Sequence, residues 1–351
     1  MDRATSSRYY VRMIKPFLFT LVGLLCFVAP PKVHAQTNSA TSEAALKALP
    51  LDQLKATAEK GDPMAQRLLG VKYQNGDGVP ENAGLFFAWV IRAAKQGDAI
   101  AEACVGDTYF KLGTATSFVE ALKWYRKGAE QGNADAQNSL GVMYENGKGV
   151  EKDYAESVKW YRRAAEQGHV MAQFNLGLKY CNGEGVERDC AEAVKWFRKA
   201  AEQGDADAQN NLGISFYNGN GVEKDYVTAM KWFRKAAEQG NAEAQFSLGN
   251  SYKDGKGVAR DYAEAVKWYR KAAEQGNALA QNNLGARYWL GEGVERDYVE
   301  AYAWLNVAGI AGDEISVKNR DDMEKRMSPE QVAEAQKRTK QLKTEILARR
   351  K

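Results

Sequence analysis

Apolar residues return along this chain in a long period. Trp124, Trp160, Trp196, Trp232, Trp268 and Trp304 stand 36 residues apart, and Trp89 precedes them by 35. Gly61, Gly97, Gly132, Gly168, Gly204, Gly240, Gly276 and Gly312 keep the same beat. Seven units follow: 62–97, 98–132, 133–168, 169–204, 205–240, 241–276 and 277–312. The second is one residue shorter, and its loop, Leu112 to Ser117, lacks the glycine pair of the others. A fixed period of this length predicts one supersecondary unit repeated along the chain. The 351 residues therefore count stacked units rather than separate cores.

Each unit reads as two helices. In the third, the spacing predicts a first helix near Ala134 to Asn146, with Asn133 as its N-cap. Asp or Asn fills that position in six of the seven units, and His169 is the exception. Ala136, Leu140 and Tyr144 recur every four residues as an inward stripe. Gly141 sits beside the stripe, and its recurrence as Gly70, Gly106, Gly177, Gly213, Gly249 and Gly285 predicts close helix approach, since a mid-helix glycine costs about 1 kcal/mol relative to alanine. Gly147 suits a left-handed helix end, and Gly149 a tight reversal. Asp153 then caps the second helix, with Glu156 placed to complete a capping box; Asp189/Glu192, Asp261/Glu264 and Asp297/Glu300 repeat the spacing. Tyr154, Ser157, Tyr161, Ala164 and Gly168 share one face, flanked by Trp160.

A stack of such hairpins needs capped ends. Leu51, Leu54 and Ala58 predict a half-unit in front. Behind the array, Asp313 to Met327 predicts a helix, and Ser328-Pro329-Glu330-Gln331 a further helix start. Val332, Ala335, Thr339, Leu342 and Ile346 give the last helix an apolar face. Its basic end (Lys337, Arg338, Lys340, Lys343, Arg349, Arg350, Lys351) reads as a solvated helix terminus or as a site for an anionic partner. The expected fold class is all-α: a right-handed α/α solenoid of seven helix-turn-helix repeats with terminal capping helices. The expected divisions are a signal peptide at 1–35, a linker and N-terminal cap at 36–61, repeats at 62–312 and C-terminal capping helices at 313–351.

The beginning of the chain changes the charge picture. Arg3, Arg8, Arg12 and Lys15 precede an apolar run from Phe17 to Ala29, too short to span a bilayer comfortably. Val33-His34-Ala35 then offers small residues at the right places for cleavage before Gln36. A retained N-terminal anchor is the alternative; lipidation at Cys26 is disfavoured because Leu25 precedes it. The expected location is periplasmic or secreted, without stable membrane insertion after cleavage. Five Lys/Arg and one acid fall in this leader, so the net charge of +4 drops to zero in the mature chain. No strong field remains to attract nucleic acid.

The repeated signature is Ala-x-Ala-Gln-x-x-Leu-Gly-x-x-Tyr-x-x-Gly-x-Gly-Val-x-x-Asp, then Ala-x-x-Trp-Tyr/Phe-x-Lys-Ala-Ala-Glu-Gln-Gly. It resembles the Sel-1-like repeats, relatives of the tetratricopeptide repeats, with Ala134 to Gly168 and Ala242 to Gly276 matching almost throughout. Ala303-Trp304-Leu305-Asn306 through Ser328-Pro329-Glu330-Gln331 also looks like the terminal segment of bacterial members. The resemblance implies an adaptor or scaffold. Cysteine-rich relatives are associated with penicillin binding or β-lactamase activity, which implies a second reading, a cell-envelope enzyme or binder acting on β-lactams or peptidoglycan. Those relatives pair cysteines in nearly every repeat, whereas this chain keeps Cys104, Cys181 and Cys190 after cleavage.

Catalytic chemistry is hard to find. The mature chain has one histidine, His169, in an N-cap slot. The Gly-x-Gly sequences lack the strand context of a nucleotide site and read as turns. The expectation is no catalytic residue, no metal and no cofactor. Cys181 and Cys190 close the first helix and open the second of unit four, so they read as a local disulfide or as two thiols.

Comparison between units points to a partner surface. The third, sixth, tenth and thirteenth positions of each unit vary freely and fall within about 80° on a helix. They carry Phe110, Phe174, Tyr217, Phe246 and Trp289 among Arg67, Asp135, Asn138, Glu145, Asp207, Asn210, Glu243, Lys253 and Asn282. Aromatics among charges suit a protein-binding groove on the concave side of a solenoid. The expected partner is an envelope or host protein, with Phe174, Phe246 and Trp289 as anchors.

Overall fold

The computed structural model describes residues 43–349. The leader and its cleavage site at Ala35/Gln36 lie outside the described residues. Two short helices open the fold, α1 (Glu43–Lys47) and α2 (Leu51–Glu59). Seven pairs follow: α3 (Pro63–Asn75) with α4 (Ala83–Lys95), α5 (Ala99–Leu112) with α6 (Ala115–Glu130), α7 (Ala134–Asn146) with α8 (Tyr154–Glu166), and α9 (Val170–Asn182) with α10 (Cys190–Glu202). The last three are α11 (Ala206–Asn218) with α12 (Tyr226–Glu238), α13 (Ala242–Asp254) with α14 (Tyr262–Glu274), and α15 (Ala278–Leu290) with α16 (Tyr298–Ile310). α17 (Glu314–Glu324) and α18 (Pro329–Arg349) close the array. No strand occurs among the described residues. Each first helix packs on its own second helix, each second helix on the next first helix, and α18 on α16. The chain is an α/α solenoid.

Local sequence fixes the helix bounds. Each first helix begins at a side-chain cap: Asn133 accepts from the Ala136 N–H at 2.8 Å, and His169 does the same through Nδ1 to Ala172 at 3.1 Å. Gly147 ends α7 at φ 65°, a region costly for other residues. The second loop glycine has a further role beyond reversal. A Cβ on Gly185 would lie 2.2 Å from the Tyr154 carbonyl oxygen of the preceding unit, so the loop backbone rests directly on the start of that unit's second helix.

The capping-box expectation needs correction for the second helices. Asp153 does cap α8, accepting from Glu156 N–H at 2.9 Å. Its own N–H, however, donates to the Tyr144 carbonyl at 2.9 Å, so the Glu156 side chain has no cap to complete and pairs with Lys159 at 2.7 Å instead. Glu192 with Lys195 and Glu264 with Lys267 follow it. Reciprocal boxes form at Thr114/Ser117 and at Ser328/Gln331.

The core is a column of small and aromatic groups. A Cβ on Gly141 would lie 2.6 Å from Tyr161, and one on Gly177 would lie 2.7 Å from Phe197. In units two to six the recurrent mid-helix glycine is thus the seat of the second helix's ring, and Val90 and Leu305 take that seat in the first and last units. Tyr161, Phe197, Phe233 and Tyr269 are fully buried on these seats, beside Leu140, Leu176, Leu212 and Leu248. At the ends, Leu46, Leu54 and Ala58 bury the front, and Ala335, Thr339, Leu342 and Ile346 the back. The basic end of α18 is partly spent on the array: Arg338 reaches Glu300 at 2.5 Å and Arg349 reaches Glu274 at 2.6 Å.

A buried glutamine joins successive units. Gln137 donates to the Ala129 carbonyl at 3.0 Å and accepts from Gln167 at 2.8 Å. Gln173, Gln209 and Gln245 repeat both bonds with Ala165 and Gln203, Ala201 and Gln239, and Ala237 and Gln275. Two positions break the pattern. Glu102 replaces the glutamine in unit two and accepts from Gln131 at 2.6 Å. Gln281 donates to Ala273 at 3.0 Å, but its buried oxygen has no partner, because Ala311 stands where the acceptor-seeking glutamine would be.

Two stability outcomes follow. Ala311→Gln supplies the missing donor and should stabilise the C-terminal units by about 0.5–1.5 kcal/mol, the usual net worth of such a bond; an unchanged or lower denaturation midpoint contradicts this. Burial raises the Glu102 carboxyl above its ordinary range, opposed by Lys127 and Gln131. A carboxyl raised in the folded state contributes its stability below the ordinary carboxylate range and loses it as pH rises through the raised value. Glu102→Gln should therefore raise the melting temperature at pH 7, with the advantage narrowing as pH falls through the carboxylate range. Melts of both proteins across that range measure it.

Candidate partner-binding face

Polar side chains join the first helices of units three and four, five and six, and six and seven. Asn175 donates to Asn138 at 3.3 Å, Lys179 to Glu145 at 2.5 Å, Asn241 to Asp207 at 2.7 Å, Asn277 to Glu243 at 2.9 Å and Asn283 to Asn250 at 3.2 Å. His169 Nε2 lies 3.1 Å from Asp135. The second helices present different chemistry. Arg92, Lys127, Arg163, Lys199, Lys235 and Lys271 each lie 3.8–4.6 Å from the centre of the tryptophan ring three residues earlier. Those tryptophans are covered by cations at a fixed spacing, whereas first-helix rings meet cations from other elements, as Phe110 meets Lys148 and Tyr217 meets Lys256.

The variable positions differ in what they leave open. Phe174, Tyr217 and Phe246 are half-buried, and each leans on a core ring beneath it: Phe197 at 5.9 Å, Phe233 at 6.2 Å and Tyr269 at 6.1 Å between centroids. Lys256 also lies 5.0 Å from the Tyr217 ring. Phe110 is half-buried against Phe118 at 5.2 Å with Lys148 over it, and Trp289 is half-buried with Arg326 at 5.7 Å. Lys253 pairs with its neighbour Asp254 at 3.2 Å. Asn138, Asn282 and Glu145 are half-buried; Asn282 accepts from Asn319 at 3.1 Å, and Glu145 accepts from both Tyr161 and Lys179.

Two of the variable positions lie inside. Arg67 is buried, and its guanidinium bridges Glu43 and Asp98, each at 3.1 Å, so it ties the front cap to the second unit rather than facing a partner. Asn210 is 1% exposed, and neither its nitrogen nor its oxygen has a hydrogen-bond partner. Alternation between units cannot reveal either placement, because the covering groups come from other units. Lys179 and Asn175 belong to the same network yet fall beside columns that sequence comparison treated as packing positions, while Asn250 lies in the variable tenth column.

Burial shapes the charge of this face. Asp107 is raised above its ordinary range by burial, with the Tyr125 hydroxyl opposing at 2.6 Å. Asp207 and Glu243 are likewise raised by burial, opposed by the amides of Asn241 and Asn277. Asp207 stands at the rim, where solvent reaches part of it while the flanking helices exclude the rest. No disulfide joins Cys181 and Cys190 in the structure, which leaves them as thiols at adjoining helix ends. No group of His, Cys, Asp and Glu suited to a metal occurs among the described residues. No helix among them is long and apolar enough to cross a membrane.

Known proteins agree with this architecture. A model of the Sel1 repeat matches residues 63–98, 106–133, 134–169, 170–205, 206–241, 242–277 and 278–313. The chain is similar to a Sel1 repeat protein from Oxalobacter formigenes, at 34% identity and a TM-score of 0.61, over 78% of this chain and 80% of that one. It is also similar to a protective antigen present in uropathogenic Escherichia coli strains displaying an SLR fold, at 32% identity and a TM-score of 0.51, over 86% of this chain and 80% of that one. Among curated proteins, 74 residues are 36% identical to the ERAD-associated E3 ubiquitin-protein ligase component HRD3 of Candida glabrata, over 21% of this chain. A stretch of 63 residues, 18% of this chain, is 40% identical to the component HRD3A of Arabidopsis thaliana. The chain spans only 8% and 9% of the length of these two relatives. With seven consecutive matches on seven stacked helix pairs, the chain belongs to the Sel1 repeat family, whose members generally mediate protein–protein interaction.

Proposed function

We propose that this protein is a non-catalytic interaction scaffold, exported to the periplasm or beyond, that holds a protein partner on its first-helix face. The observation that carries the reading is the row Phe174, Tyr217 and Phe246. These rings stand half-exposed on a face where polar contacts join the first helices of units three and four and of units five and six. Rings seated on a rigid core lose little freedom when a partner covers them, which is why aromatic residues dominate interface energetics. The acids Asp135, Asp207 and Glu243 between them supply orientation rather than bulk affinity. Arg67 is left out of this surface because its charge is already committed. Export rests on the leader alone, with its basic start, short apolar run and small residues before Gln36.

The partner is to be found by crosslinking and mass spectrometry in the native cell, and its affinity then measured on variants. Phe174→Ala with Phe246→Ala should weaken binding more than tenfold while the melting temperature changes little, since each anchor is worth about 2 kcal/mol at a hot spot. Leu140→Ala should instead destabilise the fold by about 2–5 kcal/mol, because it empties a packed site. Melting of the double variant as severe as that of Leu140→Ala would show that the rings serve packing alone. Unchanged affinity would place the partner elsewhere. N-terminal sequencing of the periplasmic form should begin at Gln36; a start at Met1 would contradict the export reading.

A further inference from the structure

The middle of the first-helix face differs from its flanks. In units two, three and six the core ring is a tyrosine whose hydroxyl reaches that face. Tyr125 donates to Asp107 at 2.6 Å, Tyr161 to Glu145 at 2.6 Å and Tyr269 to Asn250 at 2.7 Å. In units four and five the corresponding rings are Phe197 and Phe233, and the hydroxyl is missing. The polar network is interrupted there. Asn210 lies in the gap, 1% exposed, with both amide atoms unpartnered. The repeat register puts Phe174 one unit before it and Phe246 one unit after it, both half-buried.

A buried amide with no partner lowers the stability of the free protein, because it has lost water and gained nothing. A side-chain amide offers one acceptor and a donor group side by side. A peptide unit offers the complement, an N–H and a C=O, and an extended segment presents them free of internal bonding. The third position of the helix bounds the site on one side. It carries Asp207 and Glu243 in units five and six and has no Lys or Arg in any unit. Both carboxylates accept from a neighbouring asparagine, and burial has already removed part of their solvent. A cation docked beside them would restore what solvent no longer supplies.

We propose that units four to six form a peptide site in which the Asn210 amide pairs with one backbone unit of an extended partner segment, Phe174 and Phe246 flank that segment, and Asp207 and Glu243 receive a basic side chain from it. This rests on the protein-binding reading above and names the form and charge of what is bound. Asn210 is 1% exposed, so the segment reaches it only as the side chains above it change rotamer, a common adjustment at interfaces.

The test uses random twelve-residue peptides displayed on phage and panned against the full chain, with the best binders remade as labelled synthetic peptides for anisotropy. Enriched peptides should contain Lys or Arg and bind more weakly as salt rises. Asn210→Leu, which removes the polarity while keeping the volume, should weaken them at least tenfold and melt no lower than the wild type. Asn210→Ala provides the same reading should the leucine variant misfold. Asp207→Asn with Glu243→Gln should abolish the preference for basic peptides. Equal binding to the Asn210 variants, enrichment of acidic or neutral peptides, or no enrichment would each overturn the site. The Phe174 and Phe246 measurement on the native partner remains separate. Loss of native binding there, alongside failure of the peptide test, would mean that the face binds a folded surface rather than an extended segment.

Discussion

Most units depend on a buried glutamine that binds in two directions. The amide nitrogen of Gln173 is held by the backbone of the preceding second helix, and its oxygen by Gln203 from the helix that follows. A hairpin of two helices cannot bury its own apolar stripe, so its stability lies in the contact with its neighbours. That contact is otherwise apolar and could slide. Fixed donors and acceptors at the junction define one register, since any other would leave a buried amide unpaired. The bond recurs from unit to unit and ends where Ala311 replaces the donor, and the fold there changes to the capping helices α17 and α18.

The second constraint is closeness. The first and second helices of a unit approach until a ring lies on a glycine, as Tyr161 does on Gly141. This distance lets a core tyrosine reach across the unit and place its hydroxyl on the first-helix face. Packing and surface chemistry are therefore linked through one side chain: a tyrosine adds a donor to the face, and a phenylalanine removes it. Phe197 and Phe233 preserve the core and change the surface above it. Repeats with one interior pattern can thus present different exteriors, which is how a solenoid varies its partner without altering its fold.

The first-helix face mixes half-buried rings with acids and amides along its length, and its core tyrosine hydroxyls are missing at units four and five. Asp207 and Glu243 are paired with asparagines of the next unit rather than with cations, so their charge remains available. Family membership supplies the general role of protein–protein interaction, and the solved relatives share the array at about a third identity. The relation to HRD3 proteins covers a small share of those chains.

Much of this protein is decided by the order of its residues. The period, the two helices of each unit, their caps and the need for terminal helices depend on neighbours within about a turn, so a single sequence displays them. The glycine column likewise announced a close approach. Other features depend on partners well beyond a helical turn, and these only the tertiary structure decided. Gln96 meets Gln66 at a separation of 30 residues, and a repeated glutamine in the signature does not say what it bonds. Glu156 has the spacing of a capping box, yet Tyr144 takes the N–H it would have capped. Arg67 and Asn210 vary like surface residues between units, but one is held by ions on both sides and the other is buried. Sequence periodicity reports which way a residue points on its own helix. Whether water still reaches it depends on what the neighbouring units bring to the same place.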